Sequence, residues 1–261
     1  MTLLLIFDAI DAGRLTADQR LTVSKSAAQQ EPSRLGLKAG KTITVQQAMR
    51  AVAVKSANDA AVVLAEALDG TERAFAAHMT RRSRALGMTD TVFGNATGLP
   101  DASTRSTARD IATLARAVLR LHPERYALFG RRTITWDRHN FANHNHLLGH
   151  SLGVDGIKTG YTARAGFTLA ASAKRNNRRL IAVVLGASTR KGRDDRVARM
   201  LDDGFATLEA RDLRRRTRVA APITKPSLKR PGKPPRIVHD KGTELASLTP
   251  RWRQGRRVER H

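Results

Sequence analysis

The hydrophobic positions of the first half of the chain recur with a helical period. Residues 3–13 are apolar around most of a helical wheel and end at Gly13, which predicts a buried helix with a glycine cap. Thr44 and Gln47 have the spacing of a capping box ahead of a helix that breaks near residues 54–58. Three more helices are predicted over residues 59–70, 72–86 and 107–121.

The second half changes to short apolar runs. Residues 167–173 and 180–185 flank the polar segment 174–179, which predicts a β-hairpin, and residues 156–161 form a candidate third strand. A closing helix is predicted over residues 194–208. Helices that precede an antiparallel sheet, with another helix returning to cover it, predict an α+β domain in which a helical cluster packs on the sheet.

Positive charge is concentrated at the end of the chain. The net charge is +24, and residues 211–261 carry 16 lysines and arginines against four acidic residues, together with several prolines. This composition predicts a domain over residues 1–210 followed by a flexible basic tail over 211–261. Anionic wall polymers or a membrane surface suit such a tail, and no recognition module for specific nucleic-acid binding accompanies it.

Composition also excludes several kinds of site. The chain has no cysteine, which excludes disulfides and thiolate metal ligands. No apolar run approaches the ~18 residues that a membrane-spanning helix needs. Four histidines, at positions 139, 144, 146 and 150, match no standard zinc spacing, so neither a metal nor another cofactor is predicted.

Two short motifs carry the candidate chemistry. Ser56-Ala57-Asn58 lies at the predicted helix break, and Lys158-Thr159-Gly160 lies on a predicted strand about 100 residues later. Alone, the first could be an ordinary helix cap and the second a solvated strand lysine. Together they match the second and third elements of the S-x-x-K, S-x-N, K-T-G set of penicillin-binding proteins and serine beta-lactamases.

The segments around these motifs strengthen the match. Residues 54–60, 93–100, 106–110 and 154–162 resemble, in order, the signature segments of serine-type D-alanyl-D-alanine carboxypeptidases, and the resemblance covers roughly residues 1–208. It implies a penicillin-binding fold that removes the terminal D-alanine from peptidoglycan stem peptides through an acyl-enzyme. It also implies that beta-lactams bind and that the protein acts in the periplasm or another extracytoplasmic space.

The resemblance assigns a role to each motif residue. Ser56 would relay a proton toward the departing D-alanine, and Asn58 would hold the base lysine and the substrate amide. The four residues of the strand would bind the substrate. Lys158 and Thr159 would contact its carboxylate, Gly160 would let its backbone approach, and the Tyr161 N–H would donate to the oxyanion.

The start of the chain departs from the family pattern. In this family the nucleophilic serine and its lysine open a central helix as S-x-x-K, just ahead of a run similar to residues 1–5. We therefore expect residues to be missing before Met1, and the chain as given to lack both groups. Residues 188–191 spell S-x-x-K, but they follow a predicted strand instead of opening a buried helix.

Two other functions keep the same fold. A pseudoenzyme would use the S-x-N turn and the K-T-G strand to bind wall peptide or penicillin without cleaving it. A beta-lactamase-like hydrolase would need a deacylating glutamate, for which the sequence offers no obvious candidate.

Overall fold

The structure is a computed structural model that describes residues 1–150 and 153–220. In these residues the helices are α1 (Thr2–Asp11), α2 (Lys25–Ala28), α3 (Val45–Arg50), α4 (Asn58–Asp69), α5 (Glu72–Ala85), α6 (Ala108–Leu121), α7 (Pro123–Tyr126) and α8 (Arg190–Ala220). The strands are β1 (Arg20–Thr22), β2 (Thr42–Thr44), β3 (Thr133–Trp136), β4 (His139–Ala142), β5 (Val154–Thr162), β6 (Gly166–Arg175) and β7 (Arg178–Ala187). A π-helical turn (Ala51–Lys55) and a 3-10 turn (Ala127–Gly130) complete the list.

Helix α1 lies at the centre of the larger core, as its apolar sequence predicts. Leu4, Leu5, Ile6 and Phe7 are at most 1% exposed and belong to one cluster with side chains of α3, α4 and α5. Gly13 follows the helix with φ +70°, a conformation that glycine adopts without strain. The prediction of a buried helix that ends at a glycine is confirmed.

The break after α3 is also confirmed, and the structure gives its form. Thr44 and Gln47 make both hydrogen bonds of the capping box at the start of α3. The helix then widens into the π-helical turn, which ends at Ser56. The other helices predicted for the first half, α4, α5 and α6, lie within two residues of their predicted bounds.

The predicted hairpin and third strand form one antiparallel sheet with the order β5-β6-β7. Asn176 and Asn177 connect β6 to β7 with φ of 46° and 59°, as a tight hairpin turn requires. Two small antiparallel pairs, β1 with β2 and β3 with β4, were not predicted. Their strands are three or four residues long, too short to show an alternating pattern.

Helix α8 covers the sheet and is longer than predicted. Val197, Leu201 and Phe205 pack against Leu169 and Ala171 of β6 in a second core. The helix continues through Ala220, so the domain boundary predicted at residue 210 is corrected: residues 211–220 are helical. Charged residues with good helix propensity extend it, and Asp212 pairs with Arg178 of β7 at 2.6 Å.

The flexible tail predicted for residues 211–261 lies, beyond residue 220, outside the described residues. Residues 1–218 form one compact unit. No helix in the described part of the chain is long and apolar enough to span a bilayer.

Candidate functional site

Ser56 occupies a bend between two helices. The π-helical turn Ala51–Lys55 precedes it and α4 begins at Asn58, with Ala57 extended between them. Ser56 itself has φ 58° and ψ 40°, in the left-handed region that costs a non-glycine residue conformational energy. Strain of this kind and π-helical turns both concentrate at functional sites.

Asn58 anchors the neighbouring loop. Its Nδ2 donates to the Glu31 carbonyl at 2.8 Å, and its backbone N–H donates to the Ser33 carbonyl at 2.8 Å. The Ser33 hydroxyl in turn donates to the Lys55 carbonyl at 2.9 Å. The loop before β2 is thus fastened to both sides of the Ser56 bend. The catalytic roles expected for Ser56 and Asn58 stay predictions.

Asp59, which the sequence analysis did not assign, completes this anchor. Its side chain is fully buried, and its two oxygens accept four backbone N–H groups. Oδ1 accepts from Leu35 at 3.0 Å and from Ala60 at 2.9 Å, while Oδ2 accepts from Gly36 at 2.9 Å and from Leu37 at 3.0 Å. One carboxylate therefore fixes three consecutive loop residues against the first turn of α4.

The second motif lies on β5, the outer strand of the three-stranded sheet in the described residues. Lys158, Thr159, Gly160 and Tyr161 are consecutive on it, and Tyr161 is 60% exposed. A side chain at Gly160 would place Cβ 2.7 Å from the Thr168 hydroxyl of β6. Packing against the neighbouring strand therefore requires a glycine here, a reason separate from the predicted approach of a substrate.

Lys158 is a buried cation. Its Nζ donates to the Thr159 carbonyl at 2.9 Å, and in the described residues no carboxylate forms an ion pair with it. Burial, followed by the nearby charge of Arg193, lowers its pKa from 10.5 to about 8. Arg193 is itself buried and donates to Asp194 at 2.9 and 2.7 Å. The Lys158 ammonium thus remains charged at neutral pH and can receive an anion.

His144 links the two motifs. Burial and then the positive charges of Lys158 and Lys55 lower its pKa to about 4, and Arg190 and His146 add to the effect. One imidazole therefore lies within the electrostatic reach of the residue before Ser56 and of the K-T-G lysine. The π-helical turn also contacts the 3-10 turn, which contacts β5. Hydrogen-bond reach between Ser56 and Lys158 stays a prediction.

The remaining histidines have local contacts. His139 Nδ1 lies 2.7 Å from the Asp137 carbonyl, and its ring stacks on Phe141. His146 Nδ1 lies 3.7 Å from Asp194 Oδ2. Across residues 1–150 and 153–220, no three histidine, aspartate or glutamate side chains are grouped as metal ligands.

Sequence reasoning therefore found the two motifs but missed the groups around them. Arg193 lies on α8, 35 residues after Lys158, and only the packing of α8 on the sheet brings it there. Asp59 adjoins a motif residue, and its partners in the loop have no local sequence signal. His144 was weighed only as a metal ligand.

Comparison with known proteins gives consistent matches. The profile of the family described as peptidase S11, D-alanyl-D-alanine carboxypeptidase, matches residues 1–189. D-alanyl-D-alanine carboxypeptidase DacF of Bacillus subtilis is 37% identical over 232 residues, which cover 85% of this chain and 58% of the relative. DacD of Escherichia coli is 38% identical over 219 residues, covering 80% of this chain and 56% of DacD. The chain thus spans little more than half the length of these curated relatives.

Solved structures agree with these matches. Penicillin-binding protein 5 from Haemophilus influenzae superposes with a TM-score of 0.76 and 34% identity, covering 78% of this chain and 61% of that one. Penicillin-binding protein D2 from Listeria monocytogenes, in its cefotaxime-bound form, gives a TM-score of 0.68 and 32% identity, covering 77% and 83%. The similarity includes the α+β penicillin-binding fold predicted from the sequence, which is confirmed.

Proposed function

Because this chain belongs to the peptidase S11 family of D-alanyl-D-alanine carboxypeptidases, we propose that it binds the D-Ala-D-Ala end of a peptidoglycan stem peptide and supports removal of the terminal D-alanine. The observation that carries the proposal is Lys158, a buried ammonium without a carboxylate partner in the described residues. A buried cation of this kind is stabilised when an anion binds, and the free carboxylate of a peptide supplies one.

The strand suits a peptide ligand. β5 is the outer strand of its sheet, so an extended peptide can pair with it while Lys158 and Thr159 contact the terminal carboxylate. Arg193 adds a second positive charge close to Lys158. An open hollow of about 500 Å³, lined among others by His146, Phe167 and Arg190, leaves room for the rest of the stem peptide.

The family reaction defines the part that Ser56 plays. A serine hydroxyl attacks the penultimate carbonyl, the C–N bond to the terminal D-alanine breaks, and the leaving nitrogen takes up a proton. Ser56 passes that proton on, and the Tyr161 N–H donates to the oxyanion. Water then hydrolyses the ester. The acylated serine is not among the site residues assigned here, so the proposal covers proton transfer and substrate binding.

Beta-lactams are the second ligand class that we propose. The Listeria structures hold cefotaxime and ampicillin, and both drugs carry a carboxylate next to an amide bond that resembles the scissile one. The same Lys158 would bind that carboxylate. A substrate in peptidoglycan places the protein outside the cytoplasmic membrane, where this polymer lies.

Calorimetry tests the proposal with two peptides. We expect a peptide ending in D-Ala-D-Ala to bind at least about tenfold more tightly than the same peptide with a C-terminal amide, because the amide lacks the charge that Lys158 receives. Lys158→Gln should remove the difference. Lys174→Gln, a change of the same charge at an exposed position of the same sheet, should preserve it.

The outcomes separate the alternatives. Equal affinity for the two peptides would contradict a carboxylate site at Lys158. Discrimination between them without release of D-alanine would support the peptide-binding pseudoenzyme. Covalent labelling by penicillin, mapped by mass spectrometry to a serine of this chain, would show that a nucleophile is present and that the predicted lack of one is wrong.

A further inference from the structure

Strand β5 contains one extra residue ahead of the K-T-G motif. Val154 pairs with Ala173 of β6, and Gly156 pairs with the next residue, Ser172. The register therefore shifts between Val154 and Gly156, and Asp155 has no partner on β6. An unpaired extra residue in one strand of an antiparallel pair is a β-bulge, and bulges next to active sites re-aim the side chains that follow.

The bulge changes the face on which Lys158 lies. Val154 and Lys158 are four residues apart, which in a regular strand places both side chains on one face. Their partners on β6, Ala173 and Ala170, are only three residues apart and lie on opposite faces. Val154 and Ala173 face the core beneath α8, so the bulge directs Lys158 to the other side of the sheet.

Asp155 is held from two other elements. Arg179 of β7 forms a two-armed ion pair with it, with Nη1 2.7 Å from Oδ1 and Nη2 2.7 Å from Oδ2. The Tyr126 hydroxyl of α7 donates to the same Oδ1 at 2.9 Å. Arg179 Nη1 also donates to the Ser172 hydroxyl at 2.6 Å, next to the register shift. Bidentate arginine–carboxylate pairs fix geometry as well as charge.

The backbone around the bulge is closely packed. A side chain at Gly156 would place Cβ 2.5 Å from the Tyr126 hydroxyl, and one at Gly130 would place it 2.9 Å from the Asp155 carbonyl. The 3-10 turn and α7 therefore approach the bulge from the helical side, and β7 holds it from the sheet. The bulged conformation is fixed by contacts outside its own strand pair.

We propose that Asp155, held by Arg179 and Tyr126, is a positioning residue that fixes the bulge and thereby presents Lys158 to the substrate carboxylate. The proposal rests on the function proposed above for Lys158. Asp155 acts through the strand and touches neither the substrate nor the reacting atoms. Loss of its carboxylate would leave Arg179 without its partner and let β5 move toward the regular register.

Asp155→Asn in the full chain tests this proposal with two readouts. The first is affinity for the D-Ala-D-Ala peptide, which we expect to fall on the order of a hundredfold, the effect of misplacing a binding group by about 1 Å. The second is the titration of Lys158, followed by NMR of nitrogen-15-labelled lysine side chains. It should move from about 8 toward 10.5 as the ammonium leaves its buried position.

Two further variants sharpen the test. Arg178→Gln breaks the neighbouring ion pair of β7, between Arg178 and Asp212, and should change neither readout. The double variant Asp155→Asn with Arg179→Gln should resemble the single Asp155 variant, since the two residues act as one unit. Tyr126→Phe removes a single hydrogen bond and should shift both readouts in the same direction by a few-fold at most. It serves if the Asp155 variant does not fold.

The two proposals fail in different ways. If the unaltered protein does not discriminate the acid from the amide peptide, the function proposed for Lys158 fails, while the Lys158 titration in the variants still reports on the bulge. If a folded Asp155→Asn protein keeps both the peptide affinity and the Lys158 titration of the unaltered protein, the positioning role is wrong. Equal effects of Arg178→Gln would also contradict it.

Discussion

The Ser56 bend and the Lys158 strand face one neighbourhood, but different contacts hold them in place. Around Ser56, one buried carboxylate and one amide bind backbone groups of residues 31–37, all within 30 positions along the chain. Around Lys158, the partners come from α7, β7 and α8 and depend on charge. The first half of the site can therefore form from nearby sequence, whereas the second requires the packed domain.

The largest expected effect concerns the Ser56 half. Asp59→Ala would leave four backbone N–H groups without their acceptor, and we expect unfolding in urea to show a loss of about 3 kcal/mol or more. Asp69→Ala provides the control at the other end of α4, where Asp69 pairs with His78 near the surface. It should cost less than about 1 kcal/mol. Equal losses would mean that Asp59 does not hold the loop.

A change at Gly160 tests how tightly the Lys158 half is packed. Gly160→Ala should destabilise the protein by about 1–3 kcal/mol, because its Cβ would meet the Thr168 hydroxyl at 2.7 Å. Thr168→Ala in the same chain should restore most of the melting temperature. Peptide affinity that stays low in this double variant would reveal the additional role expected for Gly160 in substrate approach. An unchanged melting temperature in the single variant would refute the contact.

Alkaline pH should affect the charged half alone. With a folded pKa of about 8 against 10.5 when unfolded, Lys158 loses its proton first in the folded state, so the unfolded chain binds more protons between these values. Its contribution to stability therefore rises with pH across this window. Affinity for the carboxylate peptide should fall by up to about tenfold per pH unit above 8. An affinity that is constant from pH 7 to 10 would exclude Lys158 as the carboxylate group.

The smallest expected effect separates strain from chemistry at Ser56. Ser56→Gly and Ser56→Ala both remove the hydroxyl, but only glycine relieves the left-handed backbone, so the glycine variant should be more stable by about 1 kcal/mol. Differential scanning calorimetry would measure the difference. A more stable alanine variant would show that Ser56 does not keep this conformation in solution.

Local pattern was enough to predict the main elements and both motifs. The capping box at Thr44, the glycine after α1 and the hairpin at Asn176 each follow from a few adjacent residues, and the structure confirms them. The family resemblance, confirmed by the profile match over residues 1–189, came from such segments as well. The sequence therefore predicted which residues to examine.

Features that depend on distant partners could not be predicted in this way. The bulge at Asp155 exists in the pairing of β5 with β6, and its anchor Arg179 had appeared only as part of a polar turn between strands. The short pairs β1–β2 and β3–β4 and the place of Arg193 beside Lys158 likewise need the folded chain. Helix α8 exceeded its prediction because charged residues prolong a helix without any apolar period.

The π-helical turn at Ala51–Lys55 has a consequence for reading relatives of this protein. A π turn holds one residue more than an α turn, so losing a single codon there would return the segment to a regular helix and rotate everything after it by about 100°. Ser56 would keep its neighbours in the sequence yet point elsewhere. A one-position gap before S-x-N in an alignment is therefore a stronger sign of altered chemistry than many substitutions that surround the motif.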